Sequence, residues 1–545
     1  MQRPPHHKIP FSSGSTFPAQ NEPPAATSIP SSVGGLMRRR DFIRFAAAGA
    51  TVAASGLVGV RELAAGPARP TPAPAPFVGI QIAPHTMLDE GIEHCLDFIQ
   101  ETAAVNCVMV YTHTYNTDLR KAILAGDHGV PPCDTRNRNF PAVWVKQHDQ
   151  YFGGTSLRHP AVDLAADYAS HDIMAELVEP CRKRGIKLYG RILEGSGQDV
   201  AARVKNFSRV ATIDIYGKPT FVACWNHPEY KSFWNATVED MFRSYQLDGL
   251  QWGAERMGPL INVIMPWTDA APTCFCGYCR RRAAANGINA DRARQGYEEL
   301  YLYVRARMAG AARPPDGIFT GFLRILLRYP EILSWEYQYR LAREEMMQAM
   351  YKTIKNIKPS ADVGWHIDHE PSSFDPIYRA EMSYAEMAPY SDYLKFIAYH
   401  DVLGPRIRWW YLDRLQKSVL GELSLEESLG LYYDIFGYDK TVEPKVAELD
   451  RTGFSPDYVY RETRRSVASA AGKTRIFTGI GFDVPWESQP IPADPEKVYQ
   501  SVRRAFDAGA SGIVVSRDYA EMHAANLKAV GRAMREIAGG QGKIS

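Results

Sequence analysis

The chain has no dominant sign of charge: 63 Lys plus Arg stand against 61 Asp plus Glu, a net charge of +2 over 545 residues. The basic excess lies in residues 1–70, so the rest is slightly acidic and offers no basic surface for nucleic acid. It has no apolar run long enough to make a good membrane-spanning helix. It also has no repeat of fixed period, which sets aside solenoids and propellers. Cysteine is sparse, eight residues in all, and a chain of this length does not need a disulfide framework for stability. What is present is 45% hydrophobic and 11% aromatic content, enough to bury a large core. The chain is long for one domain but suits a barrel with insertions.

The N-terminus reads as an address. Arg39-Arg40-Asp41-Phe42-Ile43-Arg44 precedes an Ala/Gly-rich apolar run from Phe45 to Val60, and this resembles a twin-arginine export signal. Residues 1–36 are then a disordered extension or a misassigned start, and residues 37–76 the signal and an Ala/Pro linker. Such a signal implies the twin-arginine translocation machinery as a partner and a periplasmic or secreted location. The folded domain is expected over 77–545.

From Phe77 onward, short β-branched or aromatic runs alternate with longer amphipathic stretches, the pattern of βα units. Eight strands are predicted: Val78 to Ala83, Cys107 to Thr112, Lys187 to Leu193, Gly249 to Ala254, Asp362 to Ile367, Leu394 to Tyr399, Arg475 to Ile480 and Gly512 to Ser516. Eight is the number that closes a (β/α)8 TIM barrel, an α/β fold. Long helical insertions are predicted after strands four and six, over 280–360 and 404–472, as a cap or the contact face of a homo-oligomer. Their aromatics, Trp335, Tyr337 and Tyr339 among them, suit helix packing better than ligand contact.

In such a barrel the chemistry sits at the carboxyl ends of the strands. Those ends carry Glu194, Glu255, Asp368, Glu370, Asp401, Asp483, Glu487 and Asp518, more acid than a structural rim needs. Cleaving a glycosidic bond takes two carboxyl groups, one to protonate the leaving oxygen and one to attack the anomeric carbon or activate water. Glu255 stands out because it ends the strand Gln251-Trp252-Gly253-Ala254. Asp483, nearer its strand end, and Glu487 are the candidates opposite it, with Glu194 lining the same pocket.

Shortly after Glu255 comes Cys274-Phe275-Cys276-Gly277-Tyr278-Cys279. Three thiols within six residues are too dense for ordinary core packing and suit tetrahedral metal binding. Together, Cys224-Trp225-Asn226-His227-Pro228-Glu229-Tyr230, the run ending in Glu255, and the Cys-x-Cys-x-x-Cys cluster resemble the family 42 β-galactosidases. The resemblance implies structural zinc on Cys224, Cys274, Cys276 and Cys279, and acid/base work on Glu255 against a carbohydrate. Export of an already folded protein lets such a site load its zinc in the reducing cytoplasm. Two departures stand out. Ala254 replaces the asparagine that holds the sugar 2-hydroxyl in that family, and strand seven offers Asp483 and Glu487 where the family has a glutamate nucleophile.

Trp225, Trp252, Trp365 and Trp486 fall near strand ends or the cysteine segment, where flat rings stack on sugar faces, and His366, Asp368, His400 and Asp518 are expected to bind sugar hydroxyls. The same histidines and Asp518 also resemble the metal set of amidohydrolase barrels. Those enzymes need a His-x-His pair after strand one, and this chain has only His85 there. A barrel that binds sugar without cleaving it is the third possibility.

Overall fold

The computed structural model describes residues 76–541, apart from 116–123, 133–137, 161–165, 195–197, 267, 370–372, 374 and 487–488. The twin-arginine segment, Glu370 and Glu487 lie outside the described residues. The described residues all belong to one compact unit.

Eight parallel strands close into one barrel. They are β1 Phe77–Ile82, β2 Cys107–His113, β3 Lys187–Glu194, β4 Gly249–Ala254, β5 Asp362–Ile367, β6 Tyr393–Ile397, β7 Arg475–Gly481 and β8 Gly512–Ser516. Each pairs with its sequence neighbours, and β8 returns to β1 with Phe77 opposite Gly512. All eight predicted strands form: β4, β5 and β8 with both ends as expected, β2, β3 and β7 with one end displaced by one residue, and β1 and β6 with both ends displaced by one or two residues.

Local chemistry sets the connecting helices. Asp172 caps helix Ile173–Arg184 by accepting from Ala175 N, and the helix stops at left-handed Gly185. Among the described residues six helices longer than five residues open with proline at the first position, where the missing N–H costs nothing: those starting at Pro84, Pro228, Pro259, Pro376, Pro456 and Pro495. The two expected insertions are helical. After β4 the longest helices are Ala290–Met308 and Glu331–Ile357, and after β6 they include Leu425–Phe436 and Pro456–Ala470. One feature went unforeseen: a ten-residue π-helix, Ile407–Gln416, after β6. Among the described residues no helix is long and apolar enough to cross a membrane.

The barrel interior is graded along its axis. Its amino-terminal end is plugged by Phe77, Met109, Tyr189, Tyr393 and Phe477, with Phe77 stacked on Phe477 at 4.1 Å and Phe477 on Tyr393 at 4.7 Å. Above this plug lie Gln81, Arg191, Gln251 and Lys395, all buried. Gln81 Nε2 donates to Gln251 Oε1 at 2.6 Å, Arg191 donates to the same oxygen, and its guanidinium lies 4.6 Å over the Tyr111 ring.

These large inward groups fit because glycines face them. A Cβ at Gly364 would fall within the Tyr393 ring, one at Gly479 on the Lys395 stem, and one at Gly481 on the Tyr399 ring. A Cβ at Gly253 would come 2.7 Å from His366 Cβ. Gly364→Ala is therefore expected to cost about 1–3 kcal/mol in denaturant unfolding, the usual cost of overpacking a core. Gly153→Ala, where a Cβ meets nothing within 4 Å, should leave the midpoint in place. Equal midpoints for the two variants would contradict this packing.

Candidate functional site

Strand parity decides which residues reach the mouth. On β4 Gly249, Gln251 and Gly253 point inward, so Leu250, Trp252 and Ala254 point into the helix layer. On β5 the inward residues are Gly364 and His366, with Trp365 on the other face. Glu255 follows β4 and Asp368 follows β5, and these two chain ends converge.

His366 Nε2 lies 3.5 Å from Glu255 Oε1 and 3.7 Å from Asp368 Oδ1. One ligand atom from each of the three lies within 4.8 Å of the other two. The Glu255 side chain is 52% exposed, whereas His366 is 1% and Asp368 5% exposed. The cluster thus presents one carboxylate to solvent and holds two buried groups behind it. On the opposite edge of the imidazole, Lys395 Nζ lies 3.4 Å from His366 Nδ1 and 3.4 Å from Tyr399 Oη.

The electrostatics follow from burial and neighbours. Burial, then the nearby Lys395, pushes His366 down to about 3, so it is neutral at neutral pH. Burial, aided by Arg191, pulls the Lys395 amine well below its ordinary value. For Glu255 burial pushes upward, but the His366 contact and the charges of Arg191 and Arg406 outweigh it and hold the carboxyl below its ordinary range. Glu255 is therefore an anion in the free protein.

Several expected site residues lie elsewhere. Trp252 and Trp365 are 1% and 0% exposed and meet each other edge-on at 6.2 Å in the helix layer, with Trp365 Nε1 donating to Tyr390 O at 2.8 Å. Neither ring is free to stack on a sugar. Glu194 also faces the helix layer. It pairs with Arg256 at 2.9 Å, accepts from Trp225 Nε1 at 3.2 Å and from the Tyr230 hydroxyl, and has a completely buried side chain. Burial raises its pKa, opposed by Arg256.

Asp483, the expected partner of Glu255, is turned toward the chain after β8. Its oxygens accept from His523 N at 2.9 Å and from Asn526 Nδ2 at 2.9 and 3.0 Å, and its φ is +56°. Its carboxylate anchors a loop and is not available to attack a substrate. Asp518 accepts from Ala83 N at 3.2 Å, tying the end of β8 to that of β1. His400 is buried, its ring nitrogens have no hydrogen-bond partner among the described residues, and burial pushes it down to about 4. Trp486 is half-buried on a short hairpin after β7, edge-on to Trp409 at 6.2 Å. Of the expected residues the structure brings together Glu255, His366 and Asp368. Sequence reasoning missed Lys395, Tyr399 and Arg256, although the glycines facing Lys395 and Tyr399 were a readable sign of large inward neighbours.

The four predicted cysteines do converge. Cys224 Sγ lies 3.6 Å from Cys276 Sγ and 3.5 Å from Cys279 Sγ, and all four sulfurs fall within 4.8 Å of one another. Asn226 Nδ2 donates to Cys279 Sγ at 3.3 Å, and Ile213 N to Cys274 Sγ at 3.4 Å. Hydrogen bonds from the other three thiols pull Cys276 far below the ordinary thiol value.

No protein-family model and no curated protein sequence matches the chain. Among solved structures it is similar to the PgaB (BpsB) glycoside hydrolase domain from Bordetella bronchiseptica, at 11% identity and a TM-score of 0.45, covering 85% of this chain and 98% of that one. It is also similar to the β-galactosidase of the psychrophilic Marinomonas ef1, at 11% identity and a TM-score of 0.47, covering 86% of this chain and 60% of that one. A class V chitinase from Pseudomonas fluorescens Pf-5 follows, at 8% identity and a TM-score of 0.39, covering 84% of this chain and all of the other. Each is a likeness of chain path.

Proposed function

We propose that this protein is a carbohydrate-acting hydrolase that cleaves a glycosidic bond with the carboxyl groups of Glu255 and Asp368. The observation that carries this is the cluster at the barrel mouth, where both groups approach His366 Nε2 and each other within 4.8 Å. A closest approach of 4.8 Å or less is short of the roughly 6.5–9.5 Å that leaves room for a water in an inverting pair, and so favours a retaining one. Glu255, anionic and half-exposed, is the member that attacks the anomeric carbon. Asp368, beside it, is the group that gives the proton to the leaving oxygen, and His366 Nε2 faces both carboxyl groups. This exchanges the role expected of Glu255 from the sequence, because an acid must start protonated and the surroundings of Glu255 favour its anion.

Glu255→Gln is expected to abolish turnover of every glycoside tested while the protein keeps its fold. Asp368→Asn should lose about 10²–10⁴-fold on substrates with poor leaving groups and much less on activated aryl glycosides, which need little protonation. The acid limb of kcat/KM should lie below the ordinary glutamate value of about 4.3, and His366→Ala should move it upward. Full activity of Glu255→Gln would refute the assignment.

A second reading is a metal-dependent hydrolase, favoured by the same closeness of Glu255, His366 and Asp368, which is compatible with a divalent cation. It predicts chelator-sensitive amide or ester hydrolysis and no release of sugar. Saturable sugar binding with no turnover of either kind would mark a binding barrel.

The four cysteines suit one structural zinc. A tetrahedral ion with Zn–S bonds of about 2.3 Å sets its sulfurs about 3.8 Å apart, and Cys224 meets two of its partners at 3.5 and 3.6 Å. Zinc bound there would tie the segment after β4 to the connection between β3 and β4. Purified protein should contain one zinc per chain, and Cys276→Ser should lose both the metal and several degrees of Tm. Stoichiometric protein without zinc would exclude the site.

The export reading rests on Arg39 and Arg40. Replacing both with lysine should leave the full chain in the cytoplasm on cell fractionation. Unchanged export of that variant would rule out the twin-arginine route.

A further inference from the structure

Glu255 has a weak hold of its own. Its side chain is half-exposed, and its one ion-pair contact among the described residues is His366, at 3.5 Å. The next residue is held far more firmly. The Arg256 side chain is 7% exposed, and Nη1 donates to Ala223 O at 2.6 Å while Nη2 meets Glu194 Oε1 at 2.9 Å. The guanidinium lies 3.8 Å over the Trp225 ring and 6.0 Å from the Tyr230 ring. Trp225 Nε1 and the Tyr230 hydroxyl donate to the same Glu194 carboxylate, so cation, anion and both rings form one interlocked set. Tyr378 Oη adds a contact to Arg256 O at 3.4 Å.

Ala223 and Trp225 flank Cys224, a member of the four-cysteine cluster. Arg256 therefore grips the chain on both sides of that cysteine, through the carbonyl before it and the ring after it. A continuous path runs from the thiols through Ala223–Trp225 and Arg256 to the backbone that presents Glu255.

We propose that Arg256 is the positioning residue for Glu255, anchoring it to the cysteine segment through Trp225 and Glu194. This rests on the hydrolase function proposed above. Arg256 points into the helix layer and meets no substrate, so its loss should displace Glu255 without weakening substrate binding. A misplacement of about 1 Å costs on the order of 10²-fold in rate.

Removing Arg256 alone strands a buried Glu194 carboxylate, so the test is the uncharged double variant Glu194→Gln/Arg256→Met, with Arg256→Lys and Glu255→Gln assayed beside it. The double variant should melt cooperatively and keep its bound zinc. Its kcat on an aryl glycoside should fall about 10²-fold, with KM within about threefold of the wild type. Arg256→Lys, which keeps the charge but loses the planar stacked fork, should fall at least tenfold. Wild-type kcat in the double variant, with Glu255→Gln inactive, overturns the role of Arg256 and leaves the hydrolase assignment standing. A raised KM at unchanged kcat overturns it too, since Arg256 would then bind substrate. If the double variant does not fold, Arg256→Lys decides: wild-type kcat refutes the proposal and a tenfold loss at constant KM supports it. An active Glu255→Gln instead refutes the hydrolase assignment itself.

Discussion

A closed barrel of eight strands has a fixed interior, and each large side chain admitted to it must face a small one on a neighbouring strand. The rest of this structure depends on that constraint. Tyr189, Tyr393, Lys395, Tyr399 and His366 point inward where Gly249, Gly364, Gly479, Gly481 and Gly253 leave room. Without those glycines the aromatic plug, the polar layer above it and the imidazole between Glu255 and Asp368 could not occupy the same cylinder. The interior therefore passes from apolar at one end to charged at the other within a few residues of each strand.

That grading shapes the chemistry of the mouth. Arg191 and Lys395 sit in a medium that screens poorly, so they act on Glu255 and His366 across distances at which water would hide them. Burial, then Lys395 and Arg191, keep His366 neutral, and Arg191 with Arg406 favours the Glu255 anion. Partial exposure of Glu255 then brings that anion to where a ligand arrives. A second charged set, Glu194 with Arg256, lies on the other side of the strand wall and is buried. Its value lies in geometry: a buried ion pair fixes the chain beside it, while its net stabilisation is small.

The sequence made much of this legible. Eight β-rich runs separated by helical connections led to the barrel; cysteine spacing led to three thiols, and the family resemblance added Cys224 to a four-thiol cluster that the fold does assemble. Glu255, His366 and Asp368 were each singled out from their place at strand ends. The sequence misled wherever a strand end was taken to mean a mouth-facing side chain. Glu194 and the tryptophans at 252 and 365 belong to the opposite parity, and Asp483 bends away on a left-handed residue to serve the last helix.

The order of strands, the end of each that carries carboxylates and the metal-binding spacing of the thiols were determined by the sequence alone, because they follow from local runs and short spacings. Which face of each strand looks inward was decided by the tertiary structure. A parallel barrel strand is buried on both sides, by its neighbours within and by helices without, so apolar residues fill both parities and hydrophobic pattern does not separate them. The pairing of Glu255 with Asp368, and not Asp483, was settled in the same way. It depends on parity and on where three loops turn, and those turns are fixed by contacts between residues tens to hundreds of positions apart.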